Sequence, residues 1–141
     1  MRLPLISLTA LALAGWPVLA AADSGRGTGD ARPQPIRQDS LESLRWKARL
    51  VVVLGNGAQV EAQTAALQAD RQALIDRDMV ILIDGPGAGP LRDRAGNGFA
   101  ILLIGKDGGI KRVWTEPVAA QEIFDLIDTM PMRRREAAQD G

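Results

Sequence analysis

The sequence predicts a single α/β domain built on a central mixed sheet of about four strands flanked by helices, and three observations predict it. Residues 49–54 (RLVVVL), 79–83 (MVILI) and 99–104 (FAILLI) are continuous apolar runs without polar alternation. That is the pattern of strands covered on both faces. Between the first two runs lies a segment rich in alanine, glutamine and leucine, all good helix formers. Asp107 and Gly108 stand between the last of these runs and a further one at 110–114, which marks a tight hairpin because glycine tolerates positive φ. With 141 residues, 46% apolar and 24% charged, the chain has the size and composition of one globular domain.

Residues 1–22 read as a signal peptide: Arg2, then an apolar stretch over 3–16, then small residues through Ala22. Cleavage is expected after Ala20 or Ala22. An uncleaved anchor fits less well, since a span needs about 20 apolar residues. The expected location is therefore periplasmic or secreted. Residues 23–39 are dominated by glycine, proline and charge and read as a disordered linker. The folded domain is expected over 40–136, and 137–141 as a disordered tail.

Within the domain, Asp39 and Glu42 suggest a capping box for a short helix carrying Leu41, Leu44 and Trp46 inward. The first strand follows at 49–54. Asn56 and Gly57 turn the chain into a helix over 60–77, with Arg71 interrupting its apolar stripe. Asp78 leads into the strand at 79–83. Residues 84–98 (DGPGAGPLRDRAGNG) are expected to form a long loop without regular structure. The hairpin at Asp107 joins the third strand to a fourth, Ile110 to Trp114. Simple alternation there places Ile110, Arg112 and Trp114 on one face, and Lys111 and Val113 on the other. Thr115, Glu116 and Pro117 open a last helix, with proline in the first turn where its missing N–H costs nothing. Pro131 is expected to stop it, leaving a polar tail.

The chain holds no cysteine and no histidine. Disulfides, thiol nucleophiles, thiolate metal sites and redox couples are excluded, as are a histidine general base and an imidazole metal site. Acidic and basic residues balance at 17 each, so no bulk charge argues for a nucleic acid or a membrane surface. No cofactor, no metal and no stable membrane insertion after signal cleavage are expected. Glycines 85, 87 and 89 lack the lysine and hydroxyl of a phosphate-binding loop.

Several charged residues are candidates, each with a plain structural alternative. Lys106, Asp107 and Lys111 at the hairpin offer an anchor for a carboxylate, phosphate or peptide, or else serve the turn alone. Arg133, with Arg134 and Arg135, offers a dock for an acidic partner, or else complements a helix C-terminus. Trp46 and Arg49, before and in the first strand, suggest a stacked or ion-paired bracket in which Arg49 or Lys47 meets Asp128. Arg77 and Asp78, between helix and strand, carry the same ambiguity.

Three stretches, residues 44–49 (LRWKAR), 103–111 (LIGKDGGIK) and 127–136 (IDTMPMRRRE), together resemble a family of short exported bacterial proteins of unknown function. That family is similar to the DUDES domain of vertebrate extracellular proteins such as equarin and the sushi-repeat proteins. The resemblance spans about residues 40–136 and implies a thioredoxin-like, peroxiredoxin-like fold. A β-α-β unit followed by a hairpin and a helix is the same arrangement. In redox members of that superfamily the chemistry lies just after the first strand, here residues 55–59 (GNGAQ), which hold no thiol. The expectation is a redox-inactive module binding a protein or peptide in the cell envelope, with an added strand along the exposed edge near Lys111, Arg112 and Trp114. The alternative is a non-redox enzyme or small-anion-binding protein using Lys106, Asp107, Lys111 and Arg133.

Overall fold

The computed structural model describes residues 32–140. The expected signal peptide and residues 23–31 of the expected linker lie outside the described residues. Along the chain run β1 (Gln34–Pro35), α1 (Ser40–Leu44), β2 (Arg49–Leu54), α2 (Ala58–Gln68), α3 (Arg71–Asp76), β3 (Met79–Ile83), a 3-10 turn (Pro86–Ala88), α4 (Gly89–Ala95), β4 (Ala100–Ile104), β5 (Ile110–Trp114), α5 (Ala120–Asp128) and α6 (Pro131–Asp140). The strands form one sheet in the order β1-β3-β2-β4-β5. β1, β3 and β2 are parallel, while β4 runs antiparallel to both β2 and β5.

The apolar runs are continuous because β2 and β4 lie inside the sheet between two helical layers. Every residue of both strands is buried. On one face, Leu50, Val52, Leu82 and Leu102 pack with Leu91 of α4 and Leu41 and Leu44 of α1. On the other, Val51, Val53, Ile81 and Leu103 pack with Leu67 of α2, Leu74 of α3 and Ile123, Phe124 and Ile127 of α5. At about 25 cal/mol per Å² of apolar surface removed from water, these two faces are the main source of stability.

Five expectations need correction. The sheet has five strands, because the expected linker contributes β1. Ile36 is the only large apolar residue of that stretch. Its side chain is fully buried, and its N–H donates to the Ile83 carbonyl at 2.9 Å. The helix over 60–77 is two helices, since Asp70 caps a new one by accepting the Ala73 N–H at 3.0 Å. The loop over 84–98 contains the 3-10 turn and α4, each with proline in its first turn, where proline is tolerated. Here glycine serves close approach. A Cβ on Gly87 would collide with the Arg37 carbonyl, so this segment packs against the chain entering from β1. The expected capping box is not made: Asp39 makes no side-chain cap bond, and Ser40 Oγ instead accepts the Arg37 N–H at 2.8 Å.

The fifth correction concerns the last two helices. Pro117 precedes α5, which begins at Ala120. The connecting segment is held by Gln63, whose amide both donates to and accepts from the Val118 backbone, at 2.8 and 2.9 Å. Pro131 does not end helical structure but begins α6, which runs to Asp140 across most of the expected disordered tail. Gly141 lies outside the described residues.

Candidate functional site

The hairpin positions the first group of candidates. Gly108 takes φ +83°, as the Asp-Gly signal requires. Pairing of β4 with β5 is regular from Ile101–Trp114 to Leu103–Arg112, then shifts so that Ile104 faces Ile110. Lys111 is the extra residue of a β-bulge. A bulge breaks alternation and re-aims a side chain. Ile110 and Val113 therefore pack on the same core face and Trp114 on the other, unlike the simple alternation expected. Lys111 turns back over Gly105, where a Cβ would come within 2.6 Å of its Cε. Its Nζ meets Asp107 at 2.8 Å.

This brings Lys106, Asp107 and Lys111 to one wall of a cleft of about 350 Å³. The opposite wall is Met130, Pro131 and Met132 with Arg135, at the start of α6, and Arg49 also lines the cleft. The lining carries four cations and one carboxylate beside apolar methionine and proline surface. Lys111 is about one-third exposed and Arg135 is exposed.

Arg49 belongs to the strand core, and its side chain is only 2% exposed. A buried charge of this kind needs a partner and satisfied hydrogen bonds. Its Nη1 donates to the Arg77 carbonyl at 2.9 Å and to Glu136 Oε2 at 3.0 Å. The other Glu136 oxygen accepts from Lys106 Nζ at 2.6 Å, and Lys106 also reaches Asp78 at 2.7 Å. Asp78 adopts φ +49° at the turn before β3, a conformation that aspartate tolerates. Burial opposes ionisation of Glu136, but hydrogen bonds from Arg49 and Lys106 outweigh it and hold the carboxyl below its usual range.

Asp128 is taken by Arg77 rather than by Arg49 or Lys47. Arg77 grips it through two bonds, at 2.9 and 2.8 Å, and lies 5.0 Å from the Phe124 ring centroid. Arg133 approaches the same carboxylate at 3.5 Å. Burial again opposes ionisation, and the Arg77 bonds prevail, lowering the Asp128 carboxyl. Asp107 is also lowered, first by the bond from Lys111 and then by the Gly109 N–H. Asp78 and Arg133, with Glu136, line a second depression of about 340 Å³ beside the network.

Trp46 stands apart from both clefts. It is 62% exposed, not inward, and holds φ +66°. Its backbone N–H donates to the Lys106 carbonyl at 2.6 Å. Its ring lies 5.9 Å from the Arg45 guanidinium, and Arg45 Nε donates to the Asp107 carbonyl at 3.0 Å. The bracket at the end of α1 therefore uses Arg45, not Arg49, and it fastens the hairpin.

Sequence reasoning singles out Arg49, Lys106, Asp107 and Lys111, and the fold assembles them. It also offers Arg135, within the basic run, but misses Glu136 and the cleft-facing surface of Met130 and Met132. Glu136 leaves no local signal, because its partners Arg49 and Lys106 are 87 and 30 residues away. Treating Pro131 as a helix stop also hides the helix that carries it.

At the opposite end of β2, residues 55–59 lead into α2. Asp84 Oδ2 accepts the Gly55 N–H at 3.0 Å and Arg92 Nη2 at 2.6 Å. Arg92 also donates to the carbonyls of Gly96 and Gly98 at 3.0 and 2.6 Å. A structural clamp thus stands at the carboxyl end of β2, beside the segment that leads into α2.

The sheet order, the β-α-β unit and the closing hairpin and helix define a thioredoxin-like domain, and its sequence lacks cysteine altogether. A single-site mutant of thioredoxin from Halobacterium salinarum NRC-1 matches with a TM-score of 0.54 at 13% identity, over 70% of this chain and 90% of that one. The family described as Domain of unknown function (DUF4174) matches residues 91–136, from α4 through the hairpin to Glu136. Coiled-coil domain-containing protein 80 of Danio rerio is 46% identical over 41 residues. That match covers 28% of this chain and 5% of the relative.

Proposed function

We propose that this domain is a binding module that holds an acidic peptide segment in the cleft between the hairpin and the start of α6. The observation that carries this reading is the lining: four cations to one carboxylate, beside Met130, Pro131 and Met132. Such a surface suits a carboxylate flanked by an apolar side chain. Lys111 and Arg135 are the accessible cations. Binding is favoured over acid–base catalysis by the state of the carboxylates. Asp107, Asp128 and Glu136 are all lowered, so each is an ion at neutral pH and a poor proton donor.

Strand addition along β5 is less well supported. β5 is an edge strand, but it is five residues long, bulged, and charged at Lys111 and Arg112. Those are features that protect natural edges from pairing. Export to the envelope belongs to the same proposal and rests on the apolar stretch and small-residue exit of residues 1–22. Kinship with the DUDES domain also belongs to it, resting on the stretches quoted above.

The test is calorimetry with a blocked peptide bearing one glutamate between two leucines, against its glutamine counterpart. The glutamate peptide should bind at least about tenfold more tightly, the worth of one charge-assisted hydrogen bond. Lys111→Ala with Arg135→Ala should abolish that difference. Equal binding of the two peptides sinks the reading. Binding of free dicarboxylates but not of the peptide would replace it with the small-anion alternative.

A further inference from the structure

We infer that Arg49 and Lys106 form a carboxylate seat which Glu136 occupies in the free protein, and that an acidic ligand takes this seat by displacing α6. The inference rests on the reading of the cleft as an acidic-peptide site and adds its regulation.

Arg49 and Lys106 both line the cleft, yet neither is available from it. Their side chains are 2% and 11% exposed, and each gives a hydrogen bond to one oxygen of Glu136. Glu136 therefore holds the place that the cleft is built to offer to a carboxylate. It is delivered by a helix with no buried residue. Among the described residues, the ion pairs tying α6 to the body of the domain are those of Glu136 and the 3.5 Å approach of Arg133 to Asp128. An amphipathic helix is normally held by its apolar face; this one is held by charge.

The physics of the seat makes release depend on a ligand. If Glu136 leaves and nothing replaces it, Arg49 remains a buried cation with no carboxylate partner, which is strongly unfavourable. If an incoming carboxylate replaces it, the number of ion pairs is unchanged. The exchange then turns on what else the ligand contributes, such as an apolar side chain against Met130 and Met132. Because the seat is occupied most of the time, apparent affinity is reduced by the fraction that is open. Removing the internal carboxylate should lift that reduction.

The experiment uses the full chain, the glutamate peptide described above and its glutamine counterpart. Glu136→Gln keeps the shape of the side chain and removes its charge. It should tighten the glutamate peptide by about tenfold or more, without tightening the glutamine one. In the unchanged protein, saturating glutamate peptide should speed amide hydrogen exchange along residues 131–140. This second measurement needs no variant, so the inference stays testable if Glu136→Gln folds poorly. If the peptide binds the unchanged protein but neither prediction holds, the displacement idea is wrong and the cleft reading survives. If only the Glu136→Gln protein binds, the ligand does not displace α6 in the unchanged protein, and both the inference and the cleft reading of that protein fail. If neither protein distinguishes the peptides, the cleft reading itself fails, and this inference with it.

Discussion

At the carboxyl end of β2, Asp84 gathers one backbone N–H and one arginine, and Arg92 donates further to two nearby carbonyls. At the amino end of the same strand, Glu136 gathers a buried arginine and a nearly buried lysine from distant parts of the chain. The first arrangement fixes a local loop. The second joins β2, the hairpin and α6, and beside it stand Lys111 and Arg135 with accessible charge. The accessible cations that the proposed binding needs lie at the second. A fold supplies positions at both ends, and function follows the side chains placed there.

The largest expected effect comes from breaking the second end. Glu136→Ala should lower stability by about 3 kcal/mol, since it leaves Arg49 buried and unpaired. Replacing both members, Arg49→Met with Glu136→Met, should recover much of that loss, because apolar packing often substitutes for a buried pair. Urea unfolding of the two variants measures the contrast. A double variant less stable than the single one would show that Arg49 matters through its bond to the Arg77 carbonyl instead.

The first end should respond less. Asp84→Ala removes a partner from Arg92 and from the Gly55 N–H, both in partly exposed surroundings, and should cost about 1–2 kcal/mol. A loss equal to that of Glu136→Ala would erase the distinction between the two ends.

Acid should weaken the second end. The folded-state carboxyls of Glu136 and Asp128 are lowered, so the unfolded chain takes up protons more readily than the folded one. Their contribution is fully present above the unfolded value and is lost as pH falls below about 4 toward the folded value. Stability measured at successive pH values should fall across that window, and Glu136→Gln should make the fall shallower. An unchanged slope in that variant would remove Glu136 from the account.

The smallest effect is expected at Trp46, whose left-handed backbone costs a non-glycine residue about 1–2 kcal/mol. Its side chain is mostly exposed, so little packing is lost on removal. Trp46→Gly should leave stability unchanged or raise it by up to about 1 kcal/mol, as thermal melting would show. A clear loss would mean that the stack on Arg45 holds the hairpin more firmly than its exposure suggests.

How much of this is legible in the sequence differs by element. Strands β2, β3 and β4 and the Asp107–Gly108 turn are readable, because double-sided burial and positive φ each restrict the residue types allowed. The hairpin cations are readable as candidates for the same local reason. Glu136 is not, because its importance comes from contacts 87 and 30 residues away. The bulge at Lys111 is hidden as well, since one extra residue leaves no mark on a five-residue strand. α4 and β1 escape a reading that weighs glycine and proline by intrinsic preference alone. In the fold, Gly87 allows close approach and the prolines begin helical turns.

By itself, the sequence determined the α/β class, the covered strands, the tight hairpin and the absence of thiol and imidazole chemistry. These depend on residue type, local spacing and composition, which are all written along the chain. Only the tertiary structure decided which charges meet. Pairing of Arg49 and Lys106 with Glu136, and of Arg77 with Asp128, depends on the crossover of strands and the placement of α6. An ion pair has no sequence period to betray it, and burial of its members is a property of the assembled fold.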